Sequence, residues 1–252
     1  MTGRGALLAL WLAAGLATPA AAWKYVAAEY RPRAAPSEDF AYGEIDRGIL
    51  VLTVEFRTDN RTGLFVGTRS LEYELNPDPG MFFKGPDPAL WDVTGDGQPE
   101  AVMVQGHVDF GTRLLIMGLD GRRPVHVADT PFVWDAGHRL APHAAGDLDG
   151  SGTRLIAVVA DPHDAPVLHV WRFDDGAFYE RFTLPGLTNH RAGDTQITGG
   201  QRDCGAGPEL VMVLADWSEV VVVRMTETRI SGRGIAPYSP EAMAAAMACA
   251  ED

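Results

Sequence analysis

The sequence predicts a mainly β protein: a β-propeller of about four four-stranded blades, or five if residues 23–30 contribute one, with a short C-terminal α-helix. Three observations lead there. Asp92, Gly95, Gly97, Asp120 and Gly121 recur as Asp147, Gly150, Gly152, Asp175 and Gly176, one shared offset of 55 residues. Between these markers stand Val- and Ile-rich apolar runs of strand rather than helix length. Gly 28 and Pro 17 in 252 residues suit a chain of many turns. Serial units of roughly 40–55 residues, each a few strands long, are the signature of radially packed blades.

The elements follow in order. Residues 1–22 read as a cleavable signal peptide, with Arg4 ahead of the apolar run 6–17 and Ala20-Ala21-Ala22 as an A-x-A end. That run is too short to span a bilayer, which takes roughly 20 residues. The propeller is expected over 23–238, and no membrane insertion follows cleavage. Its first unit has strand candidates at 48–56, 63–68 and 71–75 around the turn Thr58-Asp59-Asn60-Arg61. The next has apolar runs at 101–105 and 113–118, then Asp120-Gly121 and a strand at 122–128. The following unit repeats this at 155–160, 167–173, Asp175-Gly176 and 177–184. Asp-Gly between such runs predicts type I′ hairpins. A more divergent unit carries Pro208-Glu209-Leu210-Val211-Met212-Val213, echoing Pro99-Glu100-Ala101-Val102-Met103-Val104, and then a strand at 220–225. The helix is expected at 240–250 within a docked segment 239–252, with Ser239 as N-cap and Pro240 at its first position. Cys204 and Cys249 are the two cysteines. In an exported chain they are expected to bridge and tie the helix back; the alternative is two buried thiols.

The loops carry the sharpest chemistry. Residues 92–100 offer Asp92, Thr94, Asp96, Gln98 through its carbonyl, and Glu100 at alternate positions, with Gly95 and Gly97 permitting a tight turn. Such a set suits a hard cation that takes six to eight oxygens, meaning Ca²⁺. Position twelve is Met103 or Val158, where an EF-hand needs a Glu. The second loop keeps Asp147, Asp149, Ser151 and Thr153 but has Leu155 at position nine, so weaker binding is expected. The third, 199–209, retains Asp203 and Glu209 and reads as degenerate. The alternative for all three is ordinary Asx-turns without an ion.

At these residues the chain resembles the FG-GAP/VCBS repeat family, whose loops follow D-x-[DN]-G-D-G-x-x-[DE] before an apolar strand. The first loop departs at Thr94 and the second at Ser151 and Leu155. The stretches Leu90-Trp91-Asp92-Val93-Thr94-Gly95-Asp96-Gly97 and Leu187-Thr188-Asn189-His190-Arg191 are similar to small exported VCBS-repeat proteins of Gram-negative bacteria. The resemblance implies a propeller like that of integrin α subunits with structural Ca²⁺ between blade strands. It implies no activity.

Lead-in segments supply a second candidate site. Lys84, His138-Arg139 and His190-Arg191 stand at matching places before the three loops. Either they ring one channel end and bind an anion, or each pins a crossover by pairing with a neighbour. The seven histidines form no HExxH pair, and no GxSxG elbow or P-loop occurs. Trp91, Trp171, Trp217 and Phe173 suit blade core or a sugar-stacking platform. With 21 basic against 34 acidic residues, net charge −13, nucleic acid is an unfavourable partner. The expected function is that of a periplasmic or secreted, non-catalytic binding or assembly module, its partner another periplasmic or cell-surface protein or a glycan. A periplasmic hydrolase working from the channel mouth and a carbohydrate-binding lectin are the alternatives.

Overall fold

Apolar runs without alternation, such as Ala101-Val102-Met103-Val104 and Leu155-Ile156-Ala157-Val158-Val159, are buried on both faces, and this dictates a stack of sheets. The computed structural model describes residues 23–32, 46–59, 62–132 and 138–250. The signal-peptide reading of 1–22, the turn residues Asn60 and Arg61, and the last two residues of the 239–252 segment lie outside the described residues.

Four antiparallel sheets follow one another along the chain. The first comprises β1 (Trp23–Arg31), β2 (Ile49–Asp59) and β3 (Phe65–Leu75) in that order. The second is β4 (Met81–Trp91), β5 (Glu100–His107), β6 (Gly111–Asp120) and β7 (Arg123–Asp129). The third repeats it with β8 (Leu140–Gly146), β9 (Leu155–Ala160), β10 (Val167–Asp174) and β11 (Ala177–Pro185). In the fourth, β12 (Leu187–Thr188) and β13 (Gly200–Asp203) both pair with β14 (Pro208–Leu214), which is followed by β15 (Glu219–Met225) and β16 (Ile230–Pro237). β12 and β13 are two pieces of one strand, interrupted at 189–199.

The first strands of successive sheets lie beside one another, β1 by β4, β4 by β8 and β8 by β13. Successive side chains of the central strands serve different cores. Ala101 and Met103 join Leu50, Leu52 and Val54 between the first two sheets, whereas Val102 and Val104 join Ile156 and Val158 between the second and third. Ala157 and Val159 then meet Leu210, Met212, Val221 and Val223. Each such Val or Ile contributes about 1.5–3 kcal/mol by leaving water. Val211, Val213 and Val220 are covered by Met243 and Ala246 of α1 (Pro240–Met247). Ser239 caps α1, its Oγ accepting from the Ala242 amide at 3.0 Å. Cys204 and Cys249 form a disulfide that ties the helix end to the loop after β13.

Several expectations are revised. Residues 23–31 do not begin a separate unit; they pair with β2 inside a three-stranded first sheet. The candidates 63–68 and 71–75 merge in one strand, β3 from Phe65, because Arg69 and Ser70 stay paired with Phe56 and Glu55 of β2. The helix stops at Met247 rather than 250, since Cys249 turns to φ 56° to meet Cys204. Asp175-Gly176 has positive φ at both residues (48° and 76°), as a type I′ turn requires. The equivalent loop in the second sheet is shifted to Gly121-Arg122, with Asp120 paired to Arg123 and positive φ at Gly121.

Candidate functional site

The first acidic loop bridges β4 and β5, and its carboxylates hold its own backbone. Asp92 accepts from the amides of Gly95 at 2.7 Å and Gly97 at 3.2 Å, and Asp96 from that of Gln98 at 2.7 Å. Gly95 and Gly97 sit at φ 85° and 86°, a region that L side chains avoid. Glu100 turns inward, accepting from the Val93 amide at 2.8 Å and from the amide and hydroxyl of Thr94, both at 3.1 Å. Burial pushes its pKa up, and the hydrogen bonds of Thr94 and Val93 oppose that shift. Arg154, from the second loop, brings Nη2 to 3.8 Å from Asp92, and a Cβ on Gly95 would collide with its guanidinium. The Gln98 side-chain oxygen is buried and unpaired. Beside it lies a cavity of about 230 Å³ floored by Leu119, Val125 and Val127.

The second loop differs where its unpaired atoms lie. Asp147 Oδ2 accepts from the Gly152 amide at 3.0 Å, and Asp149 Oδ1 from the Ser151 amide at 3.1 Å and hydroxyl at 2.6 Å. Ser151 Oγ also bonds Thr153 Oγ1 at 2.8 Å. The other oxygens, Asp147 Oδ1 and Asp149 Oδ2, are buried with no hydrogen-bond partner. The Asp149 side chain is 0% exposed, and the nearest cation, Arg181 Nη2, stands 3.8 Å away, beyond hydrogen-bond reach. In the third loop Asp203 caps Gly205 and Gly207, and Glu209 is engaged by Arg202 and Arg224. Among the described residues no three His, Cys, Asp or Glu side chains converge as a metal cluster. Each acidic loop therefore has two or three carboxylates, and further ligands must come from Ser, Thr, Gln or carbonyl oxygens.

The lead-in side chains engage neighbouring groups. Lys84 is 1% exposed and donates to the His138 carbonyl at 2.7 Å and Thr112 Oγ1 at 3.3 Å. His138 Nδ1 lies 2.7 Å from Asp161 Oδ2, and the Arg139 backbone bonds Asp161 in both directions. Arg191 stacks on Trp217, 3.9 Å from the ring centroid, and on Tyr238. These contacts pin crossovers. The exposed Arg139 side chain stays near enough to the His190 ring to act on it electrostatically.

The neighbouring first strands carry groups the spacing did not single out. Those of the second, third and fourth sheets are irregular: between Lys84 and Ala89, between Pro142 and Ala144, and across 189–199. The breaks interlock. The Asp87 amide donates to the Thr195 carbonyl at 2.7 Å, and the Asp87 carboxylate accepts from Gln196 at 2.6 Å and pairs with Arg47. Asn189 Nδ2 reaches the carbonyls of Ala141 and Pro142 and the His143 ring, each at 3.3 Å. His190 Nε2 lies 2.9 Å from the Asp194 carbonyl, so it carries the proton. His190 Nδ1 then accepts from His163 Nε2 at 2.9 Å, which assigns a tautomer to each ring. Burial is the main cause that holds both rings below the usual histidine range; each is also lowered by Arg139 and raised by Asp194. His143 is pushed down to about 4 by burial. Trp91, Trp171 and Phe173 lie in the core between the second and third sheets.

The His143 shift has a signed consequence. The unfolded chain takes up this proton near 6.5 and the folded chain near 4, so unfolding binds protons between those values. Stability from His143 is complete above pH about 6.5 and falls as pH drops toward 4, by roughly 3 kcal/mol in all. Urea midpoints at pH 7.5, 6, 5 and 4.5 should decline more steeply for the wild type than for His143→Gln. Parallel declines would refute a neutral buried His143.

Comparison of the chain with protein-family models, with curated proteins and with solved structures returns no match.

Proposed function

We infer that this chain is an exported, non-catalytic binding or assembly module, a β-propeller of FG-GAP/VCBS type with structural Ca²⁺ in its acidic loops. The serial sheets, with acidic loops ahead of β5 and β9 at one sequence offset, support the architecture. A second support is loop-on-loop packing, Arg154 against Gly95 and Pro208 over Gly150, which links the second unit to the third and the third to the fourth. Calcium is carried by one observation: two buried carboxylate oxygens, Asp147 Oδ1 and Asp149 Oδ2, accept no hydrogen bond, the second with Arg181 Nη2 at 3.8 Å. An uncompensated buried carboxylate oxygen is costly, and a divalent cation is the ligand that offsets two at once. Asp147 and Asp149 would hold it with Ser151 and Thr153, and Asp92, Asp96 and Glu100 with Thr94 and Gln98 would serve the first loop. The support is therefore greater for the second loop than its weaker motif suggests. Bound calcium would supply charge neutralisation and loop rigidity. An oxidising compartment agrees with the disulfide, and no helix among the described residues is long and apolar enough to cross a membrane.

EGTA should lower the melting temperature by about 5–10 °C relative to calcium at a hundredfold over its Kd. Asp147→Asn with Asp149→Asn should remove most of that response. An unchanged melt, with no calcium in the native mass spectrum, would overturn the metal reading. Hydrolytic turnover of ester, phosphate or glycoside substrates by the purified protein would overturn the non-catalytic one.

A further inference from the structure

Among the described residues the first sheet is one strand short. In the other sheets the third strand is covered on its outer side, β6 by β7, β10 by β11 and β15 by β16. β3 occupies the corresponding place and ends its sheet. The difference registers in burial: six of the ten residues of β6 are buried, whereas none of the eleven in β3 is. Phe65, Val66 and Leu71 are 53%, 62% and 40% exposed. An eleven-residue outer strand presents a row of backbone donors and acceptors, and chains normally blunt such edges with proline, extra charge or a cover. β3 contains no proline, and its charged residues are Arg69, Glu72 and Glu74, of which Glu72 is paired with Arg31.

We propose that β3 is a docking edge that accepts an extended segment of a partner protein, alternating apolar and basic side chains, as a fourth strand. Charge and face choose this occupant. Leu71 shares the face of Tyr73 and Leu75, which pack toward the second sheet, so it calls for apolar side chains there. Glu72 and Glu74 lie on the opposite face, with Glu72 already bridged to Arg31 at 3.1 Å. Each existing fourth strand carries an arginine, Arg123, Arg181 and Arg233, and Arg123 stands opposite Asp120. A second copy of the chain would bring a net charge of −13 against −13. Main-chain hydrogen bonds would supply affinity and the alternating side chains specificity. The inference rests on the reading of the chain as a binding module and is independent of its calcium loops.

The test uses the full mature chain and two capped eleven-residue peptides, one alternating valine with lysine and one alternating valine with glutamate. The valine–lysine peptide should bind and slow hydrogen exchange at every second amide of 65–75 by at least about tenfold. Glu74→Lys, an exposed change with little effect on folding, should weaken it about tenfold and favour the valine–glutamate peptide. Equal binding of both peptides to either protein, or binding of neither, overturns the proposal. So does slow exchange of these amides in the unmixed protein: if independent of concentration, the chain covers its own edge, and if dependent, a second copy does. A failure here leaves calcium binding and partner capture intact, so the broader reading is judged separately.

Discussion

Glu209→Ala is expected to lower stability by about 3–5 kcal/mol, the largest effect of any single carboxylate in the structure. Glu209 is 2% exposed on β14 and accepts from Arg202 Nε at 2.9 Å and Arg224 Nε at 2.8 Å. Arg202, 7% exposed, also donates to the Ala246 carbonyl near the end of α1. Truncating the acid removes the charge that Glu209 sets against the buried Arg202 guanidinium, and breaking a buried pair from one side is strongly destabilising. Urea unfolding followed by far-UV circular dichroism measures the loss. Arg202→Met combined with Glu209→Leu should recover much of it, since an apolar pair of similar size carries no unpaired charge. If the double variant is as unstable as Glu209→Ala, the ion pair itself supplies the stability.

Removal of the disulfide comes next. Cys204 and Cys249 close a loop of 45 residues, and the chain-entropy account assigns such a closure about 4 kcal/mol. Cys204→Ala with Cys249→Ala should therefore lower the melting temperature by roughly 8–16 °C. The local result is as informative as the global one. α1 covers Val211, Val213 and Val220 with little beyond Met243, Ala246 and flanking aromatics, so its amides should lose protection before those of β14 and β15. Titration of the unreduced, denatured wild type should find no free thiol. Because the disulfide and the Arg202 contact anchor the same helix, the two losses should be less than additive. Full additivity would mean that Glu209 acts on β14 rather than through α1.

Much of the architecture was legible because it is encoded locally. The runs at 155–160 and 220–225 coincide with β9 and β15, and Asp175-Gly176 forms the expected hairpin. The strands that went unlocated were the first strands of the later units and the last strand, β16. β4 contains Gly85, Pro86 and Pro88, and β8 contains Pro142 and the polar His143, residues that read as loop by composition. They are strands because they lie beside the first strands of neighbouring sheets, where tertiary pairing overrides local preference. The acidic loops were visible as motifs, but their ranking was not. Arg154 beside Asp92, and an Asp149 Oδ2 that accepts no hydrogen bond, depend on how the segments pack in three dimensions.

By itself the sequence determined the strand-rich class, the repeat offset, the capped helix and, with two cysteines, the only possible bridge. Each follows from spacings of a few residues or from a count. Only the tertiary structure decided that the lead-in cations are mostly consumed, that His163 meets His190 across 27 positions, and that Asp87 meets Gln196 across 109. It also decided that, among the described residues, the first sheet stops one strand early. Such outcomes rest on contacts between distant segments, whose partners are selected by burial and by the need to satisfy polar groups, and no local periodicity carries that information.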